Sequence, residues 1–101
     1  MTSGRASISA DILARYASDA ARDVEGVSGL VESHLHRHRG ARVSDEDGAL
    51  RVELHLAVDW GVSIPEVGRA VQRRVREYLS RMADVAPAAV DVVVEQVGAS
   101  S

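Results

Sequence analysis

The chain has no cysteine, so no disulfide, thiolate metal site or cysteine nucleophile can form. It has no phenylalanine, one tryptophan and two tyrosines, which leaves a core to be built from valine, leucine and alanine. No apolar run approaches the ~18 residues that a membrane-spanning helix needs. The opening Met1-Thr2-Ser3-Gly4-Arg5 lacks the apolar segment of a signal peptide. There is no lysine. All 12 basic residues are arginine, the usage of a GC-rich genome, and arginine fills exposed cationic positions as well as lysine would. Nor is there a large excess of one charge. The net charge is −3 with histidine neutral, and protonating the 4 histidines would bring it to about +1. A mildly acidic balance speaks against a general nucleic-acid binder, although a local basic stripe can still act. Finally, there is no P-loop, no dinucleotide fingerprint and no Ser, His and Asp arrangement that proposes a nucleophile and its base, so no enzyme is expected.

What is present is one stretch that specifies its own structure. From Leu50, the residues Val52, Leu54, Leu56, Val58 and Trp60 alternate with Arg51, Glu53, His55 and Asp59. Period two predicts a strand with one buried and one wet face, and it carries Trp60 to the end of the buried face as a core plug. Gly61 turns the chain. Ser63 and Glu66 then form a capping box, flanked by Val62 and Val67 as a staple, and Pro65 sits in the first turn, where no intrahelical donor is needed. Ile64, Val67, Val71, Val75, Tyr78, Leu79 and Met82 recur every three or four residues, which predicts a helix ending near Met82 to Ala83, before Pro87.

At 101 residues the chain is sized for one domain hiding ~65% of its extended surface. Residues 1–4 are expected to be a loose N-terminus, 5–97 a single domain and 98–101 a frayed tail. Arg5 to Ile8 reads as a short edge strand. Ser9 caps a helix over Ala10 to Val24, with Asp11 in its first turn and Ile8 and Leu13 as staple. Leu13, Tyr16, Ala17, Ala20 and Val24 make the inner face, and Ser18 lies on the outer one. Gly26 ends this helix in a left-handed cap. Leu30 to Arg39 reads as a strand, continued from Ala41 to Ser44, with a hairpin turn over Asp45-Glu46-Asp47-Gly48. Val90, Val92 and Val94 alternate with Asp91, Val93 and Glu95 in a last strand. The expected fold is α+β, a two-layer sandwich with two helices on one face of a mixed or antiparallel sheet of four to five strands. The open face should carry Glu32, His34, His36, His38, Arg51, Glu53, His55, Asp91 and Glu95.

Several of these residues also carry a likeness. The alternating strand ending in Trp60-Gly61, followed by Ile64, Val67 and Val71-Gln72-Arg73-Arg74-Val75, resembles the alkaline shock protein family of small bacterial envelope stress response proteins. Gly4, Ile8-Ser9, Ile12-Leu13, Glu25-Gly26-Val27 and Val90, Val92, Val94 fall in that family's order and spacing. Two departures stand out: Trp60 where a tyrosine is more usual, and Asp91 where asparagine is common. The resemblance implies a non-enzymatic cytoplasmic interaction or scaffold module of envelope, alkaline or general stress response. It implies self-assembly, binding to a membrane-anchored relative with the same domain, a peripheral place at the inner face of the cell membrane without insertion, and no cofactor.

Four constellations are candidate contact sites. His34, His36 and His38 share one strand face, with His55 on a neighbouring strand, and read as a solvated face, a pH-responsive contact surface or, least of all, a metal site. Arg69, Arg73 and Arg76 form a stripe on the second helix, with Arg74 and Arg81 nearby and Glu66 and Glu77 at pairing distance, so it reads as a salt-bridged face or a site for an anionic partner. Trp60, if not a plug, is an interface anchor. Gly26-Val27-Ser28-Gly29 matches the GxxG loop of KH domains, but it leads into a strand and has acidic flanks, so it reads as a helix stop. The expected partner-binding residues are therefore Arg69, Arg73, Arg76, His34, His36 and Trp60. Two rival functions remain: a small nucleic-acid-binding α+β domain, and a metal-binding protein using the histidine strand.

Overall fold

A computed structural model describes residues 8–32 and 40–98. The expected short strand at Arg5 to Ile8 and the triplet His34, His36, His38 therefore fall wholly or largely outside the described residues.

Helix α1 spans Ala10–Arg22. The Ser9 hydroxyl accepts from the Ile12 amide at 3.2 Å, satisfying one of the four donors that a helix start leaves open. The helix stops two residues short of Val24. The amides of Asp23 and Val24 donate to Ala20 and Ala21 three residues back, tightening the last turn, and Gly26 takes φ +99°. Its buried side is Leu13, Ala17, Ala20 and Ala21, joined by Ser18, which the sequence pattern places outside. Small residues let the layers close up: a Cβ on Gly26 would lie 2.9 Å from Cγ2 of Val67 in the next helix.

Strand β1 is Val27–Leu30, β2 is Ala41–Glu46 and β3 is Ala49–Val58. β1 starts earlier than Leu30 because Gly26 leads straight into the ladder. Only Asp47 (φ 56°) and Gly48 (φ 84°) make the β2–β3 turn, a two-residue hairpin with both central residues at positive φ. Asp45 Oδ1 accepts from the Gly48 amide at 2.9 Å. Both β1 and β2 pair antiparallel with β3, along the same edge. The Val31 amide donates to His55 O and the His55 amide donates to Gly40 O, each at 2.8 Å. The two strands are thus one edge interrupted at His55.

Helix α2 spans Ile64–Ala83 and returns the chain to β4, Ala89–Val97, which runs parallel to β3 on its other side. Among the described residues the sheet is mixed, has four strands, and is centred on β3. α1 packs on β1 and β2, α2 on β4, and the helices on each other, with Tyr16 and Tyr78 edge to face at 5.9 Å. This is the two-layer α+β sandwich expected. Val52, Leu54, Leu56 and Val58 from β3, Val67, Val71, Val75 and Leu79 from α2, and Val43 and Val90 complete the core with the α1 residues.

Trp60 is not a core plug. It is 64% exposed. β3 ends at Val58 and Trp60 already belongs to the turn, so the alternation that would bury the indole no longer applies. Ile64 and Met82, at the two ends of α2, overhang the sheet and are also exposed. The Ser63 hydroxyl accepts from the Glu66 amide at 3.4 Å, as the capping box requires. Replacing Ser63 by Ala should cost about 1 kcal/mol in urea unfolding, with Ser63→Asp close to wild type. An alanine variant as stable as wild type would show that the cap contributes nothing.

Candidate interaction surfaces

Among the described residues no layer covers the side of the sheet away from the helices, and strand alternation decides what lies on it. Arg51, Glu53 and His55 of β3 point there, as do Asp91 and Glu95 of β4. Register then brings distant residues together: Glu53 lies opposite Asp91, and His55 opposite Val93. Arg51 pairs with Asp91 at 3.7 Å. His55 is held on both ring nitrogens, with Nδ1 2.5 Å from Glu95 Oε2 and Nε2 2.6 Å from Glu53 Oε2. Its side chain is only 13% exposed. An imidazolium has two N–H donors and fills both contacts at once, whereas a neutral ring fills one. Glu95 reaches His55 beside an irregularity: between Leu56 and Ala57 the β4 partner steps from Val94 to Gln96, so two residues oppose one. Strand alternation places all five residues on this face and sets Glu53 beside His55, but it does not give the pairings of Arg51 with Asp91 and of His55 with Glu95, because the parallel register and the bulge are set by tertiary packing.

The arginines of α2 part company. Arg74 pairs with Asp23 at the end of α1 at 3.2 Å, and Arg81 stacks 5.6 Å from the Tyr78 ring centroid. Arg76 donates to Pro87 O at 2.8 Å. Arg69 and Arg73 make no hydrogen bond or ion pair within the described residues, and neither Glu66 nor Glu77 pairs with them. The salt-bridged face expected from i,i+3 and i,i+4 spacing is replaced by contacts to α1 and to the chain entering β4. No local signal in the sequence points to Asp23 or Pro87 as partners.

Among the described residues no group of three or more His, Cys, Asp or Glu could hold a metal ion. Nor, among the described residues, is any helix long and apolar enough to cross a membrane. A groove of about 680 Å³ between α1 and β2 is half open to solvent and lined by charges of both signs, among them Asp11, Arg15, Glu32 and Arg42. Ser18 also lines it but makes no side-chain hydrogen bond to a carboxylate within the described residues.

A family model described as Asp23 family, cell envelope-related function, matches residues 1–99. The chain belongs to that family. (The family's name has no connection with residue Asp23 of this chain.) The resemblance in the strand and helix motifs is thereby borne out, and an envelope-related function comes with it. Two Bacillus subtilis relatives of this Asp23-family chain are the uncharacterized proteins YqhY and YloU. YqhY is 29% identical over 78% of this chain and 66% of its own length; YloU is 24% identical over 93% and 88%. Among solved structures, those of MamM CTD share the fold: one has a TM-score of 0.57 at 13% identity, covering 88% of this chain and 95% of that one. Nothing in the family description names a catalytic activity.

Proposed function

We propose that the protein is a non-enzymatic scaffold or interaction module of the cell envelope, which self-associates or binds a membrane-anchored relative carrying the same domain. The observation that carries this reading is the uncovered sheet face. Its polar groups pair across the strands, Arg51 with Asp91 and His55 between Glu53 and Glu95, and the hollow that Arg51, Glu53 and Asp91 share with Arg42, Ser44 and Glu46 is small, about 150 Å³. A broad face with patterned charges and only a small hollow suits recognition by a protein partner, where charge complementarity sets register and specificity. The envelope-related family and the lack of a catalytic constellation among the described residues support it. In this reading the chain works in the cytoplasm, peripheral to the inner face of the membrane, and Trp60 and the arginines of α2 are further contact points.

Sedimentation velocity over a wide concentration range at neutral pH tests it. Reversible growth into dimers or larger species is expected, and reversing one charge of the Arg51–Asp91 pair with Arg51→Glu should shift that growth to higher concentration. A strict monomer throughout would remove self-association and leave only the membrane-anchored partner, to be sought in membrane extracts.

A further inference from the structure

β4 is an edge strand of nine residues. The parallel ladder fixes which of its polar groups are spent. The His55 amide and carbonyl face β1 and β2, so alternation turns Val52, Leu54 and Leu56 toward β4. In a parallel pair such residues bond to the neighbours of their direct partners, not to the partners themselves. The partners are Val90, Val92 and Val94, whose own N–H and C=O groups therefore point away from the sheet. Gln72 of α2 confirms the direction, since its Nε2 donates to Val90 O at 3.0 Å. The outward groups of Val92 and Val94 make no hydrogen bond within the described residues.

Edges this long are normally blocked by lysine, proline or charges that overhang them. This one has no basic residue and no proline, and its acids, Asp91 and Glu95, are drawn inward onto Arg51 and His55. Val92 and Val94 are only half-buried beneath α2. Cations stand close by. Gln72 and Arg76 reach the chain around the start of β4, Arg69 lies next to their flank of α2, one turn nearer its N-terminus, and Arg73 stands on the solvent-facing crest beside it. Arg69 and Arg73 make no hydrogen bond or ion pair within the described residues.

We propose that the outer edge of β4 binds an extended acidic segment of a partner protein as an added strand, with Arg69 and Arg73 taking its carboxylates. This rests on the protein-partner reading above and names the surface and the chemistry. Charge sets the pattern of the segment. Side chains on its α2 face are acidic to meet the arginines. Those on its other face are uncharged, because Asp91 and Glu95 already make that side of β4 acidic. A strand with period-two alternation supplies both.

The test uses the full chain, isotope-labelled, titrated with a blocked peptide alternating glutamate and threonine. Saturable amide shifts centred on Val92 and Val94 are expected. Binding should weaken about tenfold or more in the Arg69→Glu, Arg73→Glu double variant, and fall with added salt. Val92→Pro removes an outward donor that β3 does not use, so it should abolish binding while leaving the circular dichroism spectrum unchanged. If that variant unfolds, N–H exchange protection at Val92 and Val94 on adding peptide to the wild type replaces it. Equal affinity for a lysine–threonine peptide, or shifts confined to other elements, would overturn the proposal. Self-association in the ultracentrifuge together with no peptide binding would sink this edge site and leave the scaffold reading standing.

Discussion

Gly40→Ala should destabilise the protein by about 3 kcal/mol, a loss of roughly 10–20 °C in melting temperature for a domain of this size. Two costs combine. Gly40 has φ +84°, in the left-handed region where a Cβ costs about 1–2 kcal/mol. In addition, the new Cβ would sit 2.6 Å from Leu30 Cβ, 3.3 Å from Leu30 Cδ2 and 3.4 Å from the Val31 amide nitrogen. Leu30 Cβ is fixed to the backbone of β1 and cannot swing aside, so the junction where β2 resumes beside β1 must move. Gly48→Ala separates the two costs. Gly48 also has φ +84°, but nothing lies within 4 Å of its added Cβ, so only the backbone cost of about 1–2 kcal/mol should appear. If urea unfolding gives the two variants equal stability, the contact with Leu30 is not what requires glycine at position 40.

Leu54→Ala should cost about 3 kcal/mol, and more if the cavity does not collapse. Leu54 is fully buried at the centre of β3, opposite Ala41 on one side and Val92 on the other, under both helices. With no phenylalanine in the chain, this core is filled by many modest aliphatic side chains, and the four on β3 are its middle row. A domain of this length has on the order of 5–15 kcal/mol in total, so one truncation removes a large share. Leu54→Met, which keeps the volume, should lose less than about 1.5 kcal/mol. Val93→Ala, on the exposed side of β4, should stay within about 0.5 kcal/mol of wild type. A Leu54→Ala variant as stable as Val93→Ala would mean that the core is not centred on β3.

What the sequence made legible was whatever neighbours decide. Ser9 and Ser63 cap their helices because a hydroxyl reaches an amide three residues on. Asp47-Gly48 turns because both residues tolerate positive φ. Alternation sorted Arg51, Glu53, His55, Asp91 and Glu95 onto one face correctly. Alternation does not say where a strand stops, however, and that is why Trp60 was expected inside and is found outside. It also gives no register between strands. The contact of His55 with Glu95, the bond from Arg76 to Pro87 O and the pairing of Arg74 with Asp23 join residues that only the packed fold brings together. The candidate site was legible as a list of residues and illegible as a set of contacts.

The central position of β3 also orders folding in time. Its pairing with β2 closes through a two-residue turn, so that contact costs little chain entropy and can form early. Its pairing with β4 must wait for the 20-residue α2 to come between them. Topology of this kind favours a nucleus in the β2–β3 hairpin and leaves the parallel pair to close late. Substitutions near the hairpin then act on the rate at which the chain folds, and substitutions along β4 act on the rate at which it comes apart. The strand with the open edge is also the last to be secured and the first to be released.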